Sequence, residues 1–194
     1  MFKYCFISML LMVAGLQLQA QCPTPSAAMS KVVEIQKSDT PVKHKISQLQ
    51  TLRQRYLQCN KKDSAYARIV HRLGDVYKIS GDYENGIKYT KEAVDVNSGD
   101  SKAAERSYLV NSYYNLGLFY GLIYLFPESR QYFDSCIAIG NAYPDKTRIV
   151  FMAFEQKAFS FYRTGDYQKC IDVADRGILL AQKMQDSVDR KSVV

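Results

Sequence analysis

The chain has 194 residues, of which 47% are hydrophobic and 23% charged. This composition is typical of a globular protein and excludes an intrinsically disordered chain. The formal net charge is +7, and a basic surface would favour nucleic-acid binding. Because the excess of positive charge is confined to one short segment, however, the sequence does not predict a nucleic-acid partner.

Residues 1–20 have the pattern of a secretory signal peptide. Lys3 provides a positive start, residues 4–16 are almost wholly apolar, and a Leu-Gln-Ala sequence that ends at Ala20 provides a cleavage site. The apolar run is shorter than the roughly 20 residues that a spanning helix needs, which argues against a membrane anchor. The sequence therefore predicts a bacterial protein that is exported to the periplasm or the medium. We expect cleavage near Ala20 and no membrane span in the mature chain.

Residues 21–62 are predicted to form a degenerate helical hairpin that caps a longer helical array. Its two helices are expected at about residues 27–36 and 42–57, on either side of a turn that contains Pro41. In the second helix, apolar residues recur every three or four positions from Ile46 to Tyr56, as on one face of a helix. Terminal units of such arrays are expected to be atypical.

The excess of positive charge lies in this cap. Between Lys31 and Lys62 there are eight Lys and Arg residues against Glu34 and Asp39, whereas residues 63–194 hold 17 residues of each sign. Two interpretations stay open: a solvated helical face, or a patch that faces acidic envelope polymers or an acidic partner.

A spaced motif follows the cap. Its members are Leu73-Gly74, Tyr77, Gly81-Asp82-Tyr83 and Ala93. The spacing predicts a first helix that ends at Gly81, where a glycine lets the chain reverse, and a return helix over about residues 83–96. Gly74 is small at a point where the second helix must come close. The motif therefore predicts an antiparallel helical hairpin.

The motif resembles that of the tetratricopeptide repeat, and it recurs along the chain. If a unit of 34 residues starts at Ala67, a second copy starts at Val110 and a third at Phe151. Matching positions hold Leu116, Gly117, Tyr120, Phe126, Phe133 and Cys136 in the second copy, and Ala158, Phe161, Gly165, Asp166, Tyr167, Cys170 and Gly177 in the third. The second copy has Tyr124 where the others have the turn glycine.

The resemblance implies an all-α fold, a right-handed α-solenoid of antiparallel hairpins with about eight helices. The array would cover residues 63–194, with units near 67–100, 110–143 and 151–184. Asp residues at 63, 100, 145 and 186, each followed within two positions by Ser or Thr, predict helix starts. The last of these predicts the start of a further helix within residues 186–194.

In tetratricopeptide repeats the first helix of each hairpin lines a concave surface on which peptides lie. The resemblance assigns twelve residues to this groove: Arg68, His71, Asp75, Lys78, Asn111, Tyr114, Asn115, Leu118, Gln156, Phe159, Tyr162 and Arg163. Aromatic rings with polar neighbours suit peptide recognition. An equally open alternative is that Leu118 and Phe159 pack between hairpins.

One subtype of the family binds the acidic C-terminal tails of chaperones with a clamp of Lys, Asn, Asn, Lys and Arg. The matching positions here hold His71, Asp75, Asn115, Met152 and Gln156. Only Asn115 agrees, and Asp75 would repel a terminal carboxylate. The resemblance therefore does not imply this chaperone-tail activity.

Four of the five cysteines would remain after cleavage. Cys22 and Cys59 are a candidate disulfide in an oxidising compartment. Cys136 and Cys170 occupy positions that require small apolar side chains, so they are predicted to be free thiols in the core.

Catalytic and metal-binding motifs are absent from the sequence. His44 and His71 are the two histidines, and there is no HExxH, CxxC, phosphate-binding loop or nucleophile elbow. We therefore predict a non-enzymatic protein without a cofactor that binds a protein or peptide partner.

Two alternatives stay open. The chain also resembles the exported N-terminal repeat regions of bacterial sensor kinases and of peptidase-like fusions. It could then be the sensory or scaffolding arm of a longer signalling protein, truncated at Val194. The other alternative is a structural module that self-associates through the face of its C-terminal repeat.

Overall fold

The computed structural model describes residues 23–59, 62–99 and 103–192, and every regular element in these ranges is helical. The eight α-helices are α1 (Pro25–Lys37), α2 (Val42–Gln58), α3 (Ser64–Ser80), α4 (Tyr83–Ser98), α5 (Ala103–Leu122), α6 (Phe126–Gly140), α7 (Thr147–Arg163) and α8 (Tyr167–Ser192). A short 3-10 helix, Pro144–Lys146, precedes α7. Over this part of the chain, no helix is long and apolar enough to cross a membrane. The predicted signal peptide, residues 1–20, lies outside the described residues.

The helices pack as four consecutive antiparallel hairpins, in which each helix also contacts the next one along the chain. The first helices of the hairpins, α1, α3, α5 and α7, additionally contact one another in that order. We call these four the inner helices, and the surface that they share the inner face. This is the α-solenoid arrangement that the sequence predicts.

Local capping explains where the first repeat hairpin begins and turns. The Asp63 carboxylate accepts hydrogen bonds of 3.1 Å from the amides of Ala65 and Tyr66 at the start of α3. Helix α3 ends at Gly81, which adopts the left-handed conformation with φ of 80°, as a glycine at this position allows. Asp82 then caps α4 by accepting from the amide of Asn85 at 3.2 Å. The predicted helix start and turn of this repeat are confirmed.

Among the described residues, the interior contains two apolar clusters. One is formed by α1 to α4 and includes Tyr56, Tyr66 and Leu73, while the other is formed by α5 to α8 and includes Phe133 and Val150. Close helix contact within the first repeat depends on Gly74, because a Cβ there would overlap the side chain of Thr90 on α4. This confirms that a small residue is needed at the crossing.

The α5–α6 turn differs from the α3–α4 and α7–α8 turns. Gly81 and Gly165 have φ of 80° and 78°, whereas Tyr124 in the same place of the α5–α6 turn has φ of 64°. A residue with a side chain is disfavoured in this left-handed region by about 1–2 kcal/mol. The α5–α6 turn therefore has the backbone conformation of the α3–α4 and α7–α8 turns, at the cost of local strain.

Of the other predicted helix starts, one is wrong, one is confirmed without the predicted cap, and one lies outside the described residues. Residues 186–192 continue α8, so the prediction of a new helix at Asp186 is wrong: residues 178–185, just before it, contain no Gly or Pro that would end the helix. Helix α7 does begin at Thr147, but neither Asp145 nor Thr147 caps it; the Thr147 hydroxyl donates back to the carbonyl of Pro144 at 2.7 Å. The start predicted at Asp100 lies outside the described residues.

The cysteines are arranged as follows. Cys59 is disulfide-bonded, and its candidate partner Cys22 lies outside the described residues. Cys136 and Cys170 are free thiols, as predicted. Cys136 is fully buried in the second core cluster, while Cys170 is half-buried at its edge.

Candidate ligand-binding face

The twelve residues predicted to line a groove all lie on inner helices, but they fall into distinct environments. Arg68 is half-buried near the N-terminal end of α3, and Asn111 is half-buried in the middle of α5. The Arg68 guanidinium lies 4.1 Å from the ring centroid of Tyr108, so its flat face is already covered. The side-chain oxygen of Asn111 is buried without a hydrogen-bond partner.

A polar network joins α3 to α5 in the middle of the inner face. The side-chain amide of Asn115 donates to Asp75 at 2.7 Å, and its carbonyl oxygen accepts from Lys78 Nζ at 3.1 Å. Asn115 is only 6% exposed, and both functions of its amide are satisfied. This is the one position that agrees with the chaperone-tail clamp, and here it is occupied by contacts within the chain.

His71 belongs to the same network. Its Nδ1 lies 3.0 Å from the Ser112 hydroxyl, and its Nε2 lies 3.8 Å from the Asp75 carboxylate. Burial lowers the pKa of His71 below its ordinary value, while Asp75 opposes this effect. The imidazole therefore stays neutral in the folded protein at neutral pH.

Ser112, His71 and Asp75 match a hydrolytic triad in residue type but not in accessibility. Ser112 has no exposed surface, so a substrate cannot reach its hydroxyl. Asp75 is held by Arg72 at 2.7 Å as well as by Asn115. The arrangement fixes α3 against α5 and lacks the exposed nucleophile that hydrolysis requires.

A cavity of about 440 Å³ lies on the inner face between the cap and α3. Its wall combines apolar residues, from Val32 and Ile35 of α1 to Val76 and Ile79 of α3, with charged residues that include Lys45 and Arg72, and Ile79 is 70% exposed. Lys78, which reaches Asn115 from α3, also lines this cavity. The cap hairpin therefore contributes directly to the inner face.

A second cavity, of about 380 Å³, lies between α5, the start of α6 and α7. Four residues that the sequence predicts for the groove line it: Leu118, Gln156, Phe159 and Arg163. The structure adds the turn residues Leu122, Tyr124 and Phe126, and the floor is formed by Gly117, Gly121, Ser129, Phe133 and Ser160. We call this the aromatic cavity.

A row of exposed aromatic rings extends outward from Phe159, which lines the aromatic cavity. Phe159 is 50% exposed and stacks on Tyr162 with ring centroids 6.4 Å apart. Tyr162 is 57% exposed and also contacts Tyr167 at 5.8 Å. Rings that are held by their neighbours and still exposed can cover a ligand at little cost in rotamer entropy.

Tyr114 has a different role from the one that the sequence predicts. Its ring lies 5.9 Å from that of Phe133 and packs against the second core cluster. Burial raises the pKa of its phenol. Tyr114 therefore supports the floor beneath the groove, whereas the exposed aromatic surface comes from α7 and the α5–α6 turn. Leu118 both packs on this core and lines the aromatic cavity, so the two alternatives for it coexist.

Sequence reasoning missed the contribution of the α5–α6 turn and of Ile79. A signal for the turn was present, because Tyr124 and the apolar Leu122 and Leu125 stand where turns are usually polar or contain glycine. Within the described ranges, no group of three or more His, Cys, Asp or Glu residues is arranged to hold a metal ion.

Comparison with known proteins agrees with this architecture. Residues 67–100, which form the first predicted unit, match the sequence profile of the tetratricopeptide repeat. A search of curated proteins found no match.

Similar solved structures are themselves helical repeat proteins. The Q17M form of the kinesin light chain-like TPR repeats of Podosopora anserina has a TM-score of 0.67 at 13% identity, covering 90% of this chain and 84% of that one. BtubC from P. vanneervenii has a TM-score of 0.56 at 17% identity, with 82% and 72% covered. MamA has a TM-score of 0.54 at 14% identity, with 84% and 91% covered. At such identities the likeness shows the fold alone.

Proposed function

We propose that this chain, which carries one matched tetratricopeptide repeat in a helical-repeat fold, binds a protein or peptide along its inner face and has no catalytic activity of its own. The observation that carries this proposal is the aromatic cavity, an apolar recess of about 380 Å³ whose mouth is formed by half-exposed rings. Soluble proteins rarely expose a contiguous apolar patch unless it binds something. A recess of this size is also within the range of ligand sites in proteins.

A peptide-display selection on the mature domain tests the proposal. Residues 21–194 would be immobilised, peptides selected, and the affinity of the selected peptides measured for the wild type and for Phe159→Ala and Tyr162→Ala. We expect each substitution to weaken binding about tenfold, because a central aromatic contact typically contributes more than 1 kcal/mol.

Ile178→Ala is the matched control. Ile178 is 53% exposed, like the aromatic residues, but it lies on α8 and outside the inner helices. If the control weakens binding as much as the aromatic substitutions do, or if no peptide is selected, the proposal is wrong.

Export from a bacterial cell is part of the same proposal. The signal-peptide pattern of residues 1–20 supports it, and so does the disulfide bond of Cys59, because disulfides persist mainly in oxidising compartments. N-terminal sequencing of the protein from the periplasmic fraction should begin at Gln21. Recovery of an intact Met1 from the cytoplasm would contradict export.

Self-association is a second candidate function, and one observation favours it. Ile171, Ile178 and Leu179 of α8 are each more than half exposed. Light scattering over a range of concentrations should show a mass increase in the wild type that Ile178→Glu abolishes. A constant monomer mass would remove this candidate.

The interpretation as one arm of a longer signalling protein remains a proposal without structural support. The coding sequence downstream of Val194 tests it. An in-frame continuation into a kinase or peptidase-like region is the expected result, and a stop codon would contradict it.

A further inference from the structure

Arg163 stands at the mouth of the aromatic cavity in an unusual environment for a cation. Its guanidinium carbon lies 5.5 Å from the ring centroid of Tyr124 and 5.7 Å from those of Phe126 and Phe159. These contacts orient the guanidinium by its flat face. Its hydrogen-bonding edge is left for another group.

That edge has no acidic partner within the described part of the chain. The ion pairs there join Lys31–Glu34, Arg53–Glu92, His71–Asp75, Arg72–Asp75, Lys146–Asp145, Lys157–Asp134 and Lys169–Asp166. Asp166, just beyond the end of α7, is already engaged by Lys169 at 2.6 Å. The charge of Arg163 is therefore available to a ligand.

The turn that holds Arg163 supports a functional interpretation. Tyr124 adopts φ of 64° in the place where the α3–α4 and α7–α8 turns have glycine, and it is 67% exposed. Its ring packs edge-on against Phe126 at 6.1 Å and contacts Arg163. A strained residue that gains little burial usually persists because a site requires its side chain.

Resting on the proposed function, we infer that this site binds a polypeptide segment in which an Asp or Glu side chain adjoins a large apolar side chain. The carboxylate accepts charge-assisted hydrogen bonds from the edge of Arg163, and the apolar side chain enters the aromatic cavity beside Phe159 and Leu118. A guanidinium edge matches a carboxylate in shape as well as in charge.

The acidic group is the side chain of an internal residue and not a free C-terminus. The family's clamp for a terminal carboxylate would have to use Asn115 and its neighbours, but Asn115 is buried between Asp75 and Lys78. The inner face also continues past this network to the cavity beside the cap, so an extended segment has room on both sides of the acidic residue.

An array of end-blocked peptides, each accompanied by a copy with a free C-terminus, tests this inference with the mature protein. Each peptide carries a central pair made of Asp, Glu, Asn or Gln next to Phe, Leu or Ala. We expect retention only of peptides with an acidic residue beside Phe or Leu, and weaker retention as the ionic strength rises. Arg163→Gln should lower the affinity for these peptides about tenfold or more. Arg163→Lys should lower the affinity less than Arg163→Gln does, because lysine keeps the positive charge although it lacks the planar fork of arginine.

Arg176→Gln provides the matched control. Arg176 is an exposed arginine that also lies over a ring, 5.4 Å from the Phe154 centroid, but on α8. Circular dichroism of each variant checks that the fold is intact.

The possible failures are distinguishable. If the wild type retains peptides without preferring acidic ones, or if Arg163→Gln changes nothing, the inference is wrong and the proposed function stands. A preference for peptides with a free C-terminal carboxylate would also overturn it. If the wild type retains no peptide at all, both the inference and the proposed function fail.

Discussion

The guanidinium of Arg53 on α2 donates two hydrogen bonds of 3.1 Å to the carboxylate of Glu92 on α4. Arg53 also lies within 6 Å of the ring centroids of Tyr66 and Tyr89, and the Tyr66 hydroxyl donates to the same carboxylate. The cap and the first repeat are thus joined by one charged pair among aromatic rings. Both side chains are largely buried, 23% and 21% exposed, which separates this pair from the solvated positive charge of the cap.

We expect Glu92→Ala to lower the free energy of unfolding by about 2 kcal/mol, because it leaves the Arg53 charge desolvated and unpaired. Urea denaturation followed by circular dichroism measures the change. Glu34→Ala is the control: its partner Lys31 is 48% exposed, and exposed pairs contribute about 0–1 kcal/mol.

The double variant Arg53→Met with Glu92→Met separates pairing from packing. It should recover much of the lost stability, since apolar residues of similar size often replace a buried pair without loss. Equal losses in Glu92→Ala and Glu34→Ala would show that the pair does not anchor the cap.

His71 predicts a pH dependence of stability. Burial lowers the pKa of His71 in the folded protein, whereas in the unfolded chain it returns to about 6.5. The unfolded state therefore binds a proton more readily, and the free energy of unfolding should fall as the pH drops below about 6.5. The loss stops once the pH is below the lowered pKa of the folded state.

Thermal denaturation at several pH values between about 8 and 5 measures this effect, because that range includes the ordinary pKa of histidine. His71→Gln, which keeps a hydrogen-bonding group next to Ser112, should flatten the profile. His44→Gln, at an exposed position on α2, should leave it unchanged. A wild-type profile that is already flat over this range would contradict the buried neutral state of His71.

Much of the fold could be predicted from the sequence because its signals are local. Asp63 and Gly81 act within one turn of their own helix, and the apolar spacing from Ile46 to Tyr56 depends on helix geometry alone. The false helix start at Asp186 shows the limit of such signals. An Asp followed by Ser is also compatible with the middle of a polar helix, so without a preceding Gly or Pro it does not specify an end.

The binding face could be predicted only in part, because it depends on contacts between repeats. All twelve predicted groove residues lie on the inner helices, but family positions cannot reveal that Asn115 is bridged by Asp75 and Lys78 or that Tyr114 packs on Phe133. The Asn115 contacts join helices about 40 positions apart in sequence, and the Tyr114 contact joins the two helices of one hairpin. The turn at Tyr124 was missed because the family pattern expects glycine there.

The strain at Tyr124 predicts that substitutions at two equivalent turns change the stability differently: Gly165→Ala should lower it, whereas Tyr124→Gly should not. Gly165→Ala should destabilise the protein by about 1 kcal/mol, because alanine is disfavoured at the positive φ of this residue. A Cβ at Gly165 would meet no atom within 4 Å, so steric overlap does not contribute. Tyr124→Gly should cause no loss of stability, since relief of strain offsets the higher entropy of glycine in the unfolded chain.

Chemical denaturation of both variants, together with the peptide array, checks this relation. Tyr124→Gly should keep the fold and weaken peptide retention, because it removes one of the rings around Arg163. A stability loss for Tyr124→Gly as large as that for Gly165→Ala would mean that the Tyr124 ring stabilises the fold, and would remove the argument from strain.

The two free thiols should differ sharply in reactivity. Burial raises the pKa of the Cys136 thiol to about 12, so almost no thiolate forms near neutral pH, and alkylating reagents cannot reach the side chain. Cys170 is half-buried at the edge of the same core cluster. We expect iodoacetamide to modify Cys170 at least about tenfold faster than Cys136 in the folded protein. Peptide mapping by mass spectrometry measures both rates, and in denaturant the two should become equal. Comparable rates for the two thiols in the native protein would contradict the buried position of Cys136.

Under non-reducing conditions the same map should contain Cys59 only in a disulfide-linked peptide, with Cys22 as its predicted partner.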